Sequence, residues 1–102
     1  MDIEQIKLLC RDSTIEVTQH LLMRCQQRNI SYEEVKEVIK NGEIIEEYPD
    51  DYPYPSCLIL GVTIHERRIH VVVGIGENRL WLITAYEPDP LQWDDSLKKR
   101  KD

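Results

Sequence analysis

The apolar residues of this chain change their period once, at Gly42, and that switch constrains the fold more than anything else in the sequence. Before it, Ile3, Ile6 and Leu9 or Cys10, then Leu21, Leu22 and Cys25, then Tyr32, Val35, Val38 and Ile39 recur at the spacing of one helix face. After it, residues 57–64, 69–75 and 80–86 are runs dominated by Val, Ile and Leu, which is the signature of strands. The short turns 65–68 and 76–79 make those strands antiparallel neighbours. Helices followed by strands predict an α+β fold, with N-terminal helices packed on one face of a four-stranded antiparallel sheet.

Local signals set the boundaries. Asp2 and Glu4 suit the positive end of a first helix over 2–11. Residues 13–17 read as a brief extended connection. Thr18 reads as the N-cap of a helix over 19–28, and Asn29 as the left-handed residue that ends it. Ser31 with Glu34 three residues on forms a capping box, and Gly42 stops that helix. Residues 43–48 form a short acidic strand, expected at an edge. Pro49, Pro53 and Pro55 place a loop after it. Pro88 and Pro90 end the sheet, and the rest is a tail or a short helix whose last turn would carry Lys98 to Lys101. At 102 residues this is one domain: a helical part (1–42), a sheet (43–87) and the C-terminal segment (88–102).

The pleat can be read further. A four-residue first turn pairs Ile64 with Ile69, and a two-residue second turn pairs Gly76 with Arg79; paired residues share a face. Leu58, Leu60, Val62, Ile64, Val71, Val73, Ile75, Leu80 and Leu82 then form the apolar face beneath the helices. Ile59, Gly61, Thr63, His70, Val72, Gly74, Trp81, Ile83 and Ala85 form the other. This register separates His70 from Tyr86.

The net charge of −6 weighs against a protein that lives on nucleic acid, since phosphate binding is mainly electrostatic. The excess is local, however. Glu43, Glu46, Glu47, Asp50 and Asp51 account for five of the 19 acids, leaving 14 against 13 bases. Another face is therefore free to be basic. Cys10, Cys25 and Cys57 are widely spaced, form no CxxC pair and read as buried apolar thiols. No apolar run is long enough for a membrane span and no signal segment opens the chain, so a cytoplasmic protein is expected.

Chemistry concentrates in one stripe. His20, Arg24 and Arg28 stand at i, i+4 and i+8, on one side of a helix. The positive helix start disfavours an imidazolium at His20, which suits a general base. Two Arg on that side can hold a phosphate through bidentate hydrogen bonds. A solvated face whose cations meet nearby acids has the same spacing. His70 lies within a Val/Ile strand, where a satisfied sheet residue is the plainer reading. Tyr86, with Thr84 beside it, is a proton donor or a core edge. His65, Arg67 and Arg68 fall in a turn and read as exposed. Tyr48, Tyr52 and Tyr54 can stack bases or pack a Pro-rich loop. No Gly-rich phosphate loop, HExxH, Ser elbow or metal-ligand cluster occurs, so neither a cofactor nor a metal is expected.

The run T-Q-H-L-L-M-R-C-Q-Q-R-N-I-S-Y-E-E-V over 18–35 resembles a T-x-H-A-x-x-R-M-x-x-R-G-I-s pattern. N-G-E-I-I-E-E-Y-P, C-L-I-L-G, I-H-V-V-V and I-T-A-Y-E-P-D-P-x-x-W follow in the same order as in that pattern's family. It is the small bacterial family called domain of unknown function 4258, and the resemblance covers almost the whole chain. It implies kinship with ribonuclease toxins of the RelE type, a small zinc-finger antitoxin as partner, RNA as substrate, and His20, Arg24, Arg28, His70, Thr84 and Tyr86 as site positions. Asn29 replaces the usual Gly, which both residues' tolerance of the left-handed region allows. Leu21 and Cys25 differ from the pattern in packing only. The pI of 5.0 departs from the basic character of such toxins.

The leading expectation is thus a metal-independent RNA endonuclease. His20 or His70 would take the 2′-hydroxyl proton, Arg24 and Arg28 would stabilise the phosphorane, and Tyr86 or the second His would protonate the leaving oxygen. The rival is a non-catalytic binding module in which Thr18, His20 and Arg24 serve folding. A small-molecule hydrolase comes third, for want of a nucleophile.

Overall fold

The computed structural model describes residues 1–101. Its elements are α1 (Ile3–Leu9), β1 (Ile15–Val17), α2 (Gln19–Arg28), α3 (Tyr32–Asn41), β2 (Glu43–Tyr48), β3 (Ser56–Val62), β4 (Arg68–Gly76) and β5 (Arg79–Tyr86). They build an α+β fold around a five-stranded sheet of order β1-β5-β4-β3-β2.

The helix ends form where the local chemistry puts them. The Thr18 hydroxyl accepts from the Leu21 N–H at 3.0 Å and donates to the Leu82 carbonyl at 3.3 Å, tying the start of α2 to β5. Asn29 takes φ 55° and ψ 46°, and the Ile30 N–H closes the helix end on the Cys25 carbonyl at 2.9 Å. Both halves of the Ser31–Glu34 capping box are present. α3 lies so close to β3 that a Cβ at Gly61 would collide with the Val38 carbonyl.

Four corrections concern the sheet and its end. First, there are five strands, not four, and the sheet is mixed: β1 pairs parallel with β5, Ile15 opposite Leu80 and Val17 opposite Leu82. The expected extended connection finds its hydrogen bonds on a strand that comes 65 residues later.

Second, β3 is turned over. The loop after it runs 63–67, closed by the Thr63 N–H on the Arg67 carbonyl at 2.9 Å with Glu66 left-handed. Val62 therefore faces Arg68, and one more loop residue than expected inverts the strand. Cys57 and Ile59 face the helices beside Val71 and Val73, while Leu58 and Leu60 share the other face with Val72 and His70. Val62 and Ile64, expected in the core, are exposed.

Third, the turn after β4 is as expected, with Glu77 and Asn78 both at positive φ and Gly76 opposite Arg79. A bulge at Ile83 then shifts the register between Val73–Leu82 and Val72–Thr84. Ala85 joins the core, and Tyr86 lands directly opposite His70, on the same face.

Fourth, no helix follows β5 among the described residues. The C-terminal segment folds back through turns that bridge Trp93 with Arg100. Lys98 and Arg100 cap no helix; they pair with Glu43 and Glu46 of the edge strand β2. The core lies between the sheet and the helices: Ile6, Leu21, Cys25, Ile30, Val35, Val38 and Ile39 against Cys57, Ile59, Ile69, Val71, Val73, Leu80, Leu82 and Ala85. All three thiols are buried, and burial pushes Cys57 up to about 11. Among the described residues no helix is long and apolar enough to cross a membrane.

Candidate functional site

β1 ends opposite Leu82, so the edge of β5 beyond it is open. Arg28, in the last turn of α2, reaches that edge and donates from Nη1 to the Ala85 carbonyl at 2.8 Å. Its guanidinium lies 5.9 Å from the centroid of the Tyr86 ring. Together with Glu87, Asp89, Gln92, Trp93 and Arg100 these two residues line a groove of about 500 Å³. Its charges are mostly committed. Arg67 holds Glu87 at 2.6 Å, and Arg100 grips Glu46 with Nε and Nη2 at 3.0 and 3.1 Å. Arg28 has no carboxylate partner among the described residues.

Behind Tyr86 lies His70, fully buried. Its Nε2 is 2.7 Å from the Leu97 carbonyl, which can only accept, so Nε2 carries the hydrogen. Nδ1 is then the acceptor for the Tyr86 hydroxyl at 3.4 Å. Trp93 packs edge-on against the imidazole at 4.5 Å. Burial pushes the His70 pKa below its ordinary 6.5, which keeps the ring neutral. Burial likewise pushes the Tyr86 phenol up, so it stays protonated.

The structure thus brings together Arg28, Tyr86 and His70. It leaves His20 and Arg24 outside the groove, exposed on α2, where among the described residues Arg24 has one side-chain hydrogen bond, to Gln27 at 3.4 Å. At 1.5 Å rise per residue, His20 and Arg28 stand about 12 Å apart along the axis, too far for one phosphate. Thr84 is half-buried opposite Val72. Among the described residues no cluster of His, Cys, Asp and Glu is placed to hold a metal.

Sequence reasoning missed the groove's other wall. Trp93 and Arg100 come from the tail, where the signals are the Trp of the P-D-P-x-x-W run and the basic stretch 98–101. It also missed Arg67, read as exposed. Arg67 bonds the Asn29 carbonyl at 2.9 Å, Glu34 at 3.1 Å and Glu87, locking α3 to the end of the sheet.

No curated protein and no solved structure matches the chain. A family described as Domain of unknown function (DUF4258) matches residues 17–87, which take in α2, α3 and all of β2 to β5. Arg28, His70 and Tyr86 fall inside that span, and Trp93 and Arg100 outside it. With well over half of its length matched, the chain belongs to the DUF4258 family.

Proposed function

We propose that this chain is the toxin of a bacterial toxin–antitoxin pair, a metal-independent RNA endonuclease of RelE-like descent that acts in the cytoplasm and is restrained by a small zinc-finger antitoxin. The observation that carries the reading is the convergence, in one open groove, of a guanidinium that is held by a backbone carbonyl but has no carboxylate partner among the described residues, and a phenol hydrogen-bonded to a neutral imidazole. Because Tyr86 gives its hydrogen to His70, its oxygen offers a lone pair to the groove. It accepts the ribose 2′-hydroxyl proton while passing its own to Nδ1. The 2′-oxygen attacks phosphorus, Arg28 offsets the charge on the phosphorane, and the bond to the 5′-oxygen breaks. The leaving oxygen takes a proton from a water at the open mouth, and His70 returns its proton through Tyr86 to the hydroxide so formed, which restores the water and both side chains. Burial opposes the imidazolium, so His70 holds the proton only transiently.

The test is cleavage of single-stranded RNA by the purified chain in EDTA. Arg28→Ala and Tyr86→Phe should each lower the rate by about 10²-fold or more, the scale of a lost transition-state donor or proton-transfer group. Dependence on Mg²⁺, or full activity in both variants, would overturn the mechanism. The position of His20 and Arg24 favours a second reading, an RNA-binding module without catalysis, because an exposed stripe with about 6 Å between neighbours meets successive phosphates. That reading requires salt-sensitive RNA binding with no cleavage at all.

A further inference from the structure

A second cavity, of about 330 Å³, opens on the sheet face away from the helices. Tyr54 and Trp81 line it side by side, their rings packed on each other with centroids 5.5 Å apart and planes tilted by 33°. Tyr54 can lie there because Gly76 has no side chain; a Cβ at that position would collide with its ring. Pro53 and Ile83 complete an apolar lining over Gly74. Such a lining takes a flat ring.

One charged group stands among these residues, Asp51. Oδ2 accepts from the Ser56 hydroxyl at 2.6 Å and Oδ1 from the Tyr52 N–H at 3.2 Å, so the carboxylate is fixed in orientation. Each oxygen keeps lone-pair capacity. No cation pairs with Asp51 among the described residues. A carboxylate there rejects phosphate and asks for a ring with two adjacent N–H donors.

The cavity also has a place along the first groove. Thr18, just before α2, is part of its lining, and Arg28, at the end of α2, is part of the groove's. Ile83 and Tyr86 make the same connection along β5, about 10 Å apart at strand rise. The exposed His20 and Arg24 lie between.

We propose that this cavity is a guanine pocket: it takes one unstacked guanine of a single-stranded RNA whose backbone follows α2 towards Arg28. The base stacks on one face of that aromatic pair, as in single-strand readers. Asp51 accepts from N1–H and the N2 amino group together. Guanine alone among the four bases offers two such donors side by side; adenine and cytosine set an acceptor beside their amino group, and uracil has one N–H between two carbonyls. The assignment rests on the RNA reading for the strand's path, whereas the pocket itself is tested on a nucleoside.

The experiment titrates guanosine, inosine and adenosine into the intact chain and follows the Trp81 indole N–H by NMR. Guanosine should shift that signal and bind at least about tenfold more tightly than inosine, which lacks the amino group; tenfold is the loss of one charged hydrogen bond. Asp51→Asn should abolish the guanosine-over-inosine preference, and Tyr54→Ala should weaken all three, with both variants melting like wild type. The pocket is overturned if the three nucleosides bind alike, if none moves the Trp81 signal, or if Asp51→Asn leaves the preference intact. An apolar peptide that moves the signal where guanosine does not assigns the cavity to a protein partner and overturns it too. Guanosine binding without RNA cleavage retains the pocket and removes the endonuclease. Cleavage indifferent to guanine, with a silent Trp81, does the reverse.

Discussion

His70 links protonation to folding. Its folded pKa lies below the ordinary 6.5 because the ring is buried. Between those two values the unfolded chain binds a proton that the folded chain excludes. Its contribution to stability is therefore full above about pH 6.5 and declines as pH falls towards the folded value. Urea melts at about pH 7.5 and 5.5 should show the loss, and His70→Gln should flatten it. A wild-type slope that survives the substitution would assign the effect to carboxylates. Thr18 works at the same scale through two bonds, one to its helix and one to β5. Thr18→Ala should cost about 1–2 kcal/mol, the upper range for a cap, read as a lower midpoint in urea. An unchanged midpoint would show that α2 does not need it.

At the scale of elements, the orientation of β3 makes a sharp prediction. Ile59 faces the helices and is fully buried, whereas Val62 is exposed at the strand's end. Ile59→Lys should unfold the protein, because an unpaired buried ammonium is strongly unfavourable, and Val62→Lys should stay within about 0.5 kcal/mol of wild type. Circular dichroism melts of the two decide it, and the opposite ranking would restore the other face. This is also where the sequence stops being legible. Caps and helices were readable because Thr18, Asn29 and the Ser31–Glu34 pair act within three or four residues of themselves. β1 was not, since three residues make a strand only when Leu80 to Leu82 lie beside them. The faces of β3 and of Tyr86 each hung on one residue, an added position in the 63–67 loop and the bulge at Ile83. Strand parity has no tolerance for such an error. Of the candidate site, the residue types were readable. Their convergence was not, because the bulge that sets Tyr86 opposite His70 leaves no mark in composition.

For the molecule as a whole, the tail decides what is inside. Trp93 and the Leu97 carbonyl close over His70, and neither belongs to the span matched by the family. Removing residues 92–102 should leave the helix-side core intact and return the His70 pKa towards 6.5, measurable by following its ring signals through a pH titration. A truncated chain that still titrates low would show that the sheet alone keeps His70 dry. The tail is held partly by ions. Lys98 meets Glu43 at 2.8 Å and Arg100 meets Glu46 at 3.0 Å, and in each pair at least one side chain is about half exposed or more. Counter-ions reach such pairs: the screening length falls from about 10 Å at 0.1 M salt to about 3 Å at 1 M. The enclosure of His70 is therefore set in part by the solution around the protein. Concentrated salt should speed amide exchange in the tail ahead of the core strands, loosening the hold on an uncharged imidazole through charges that never touch it.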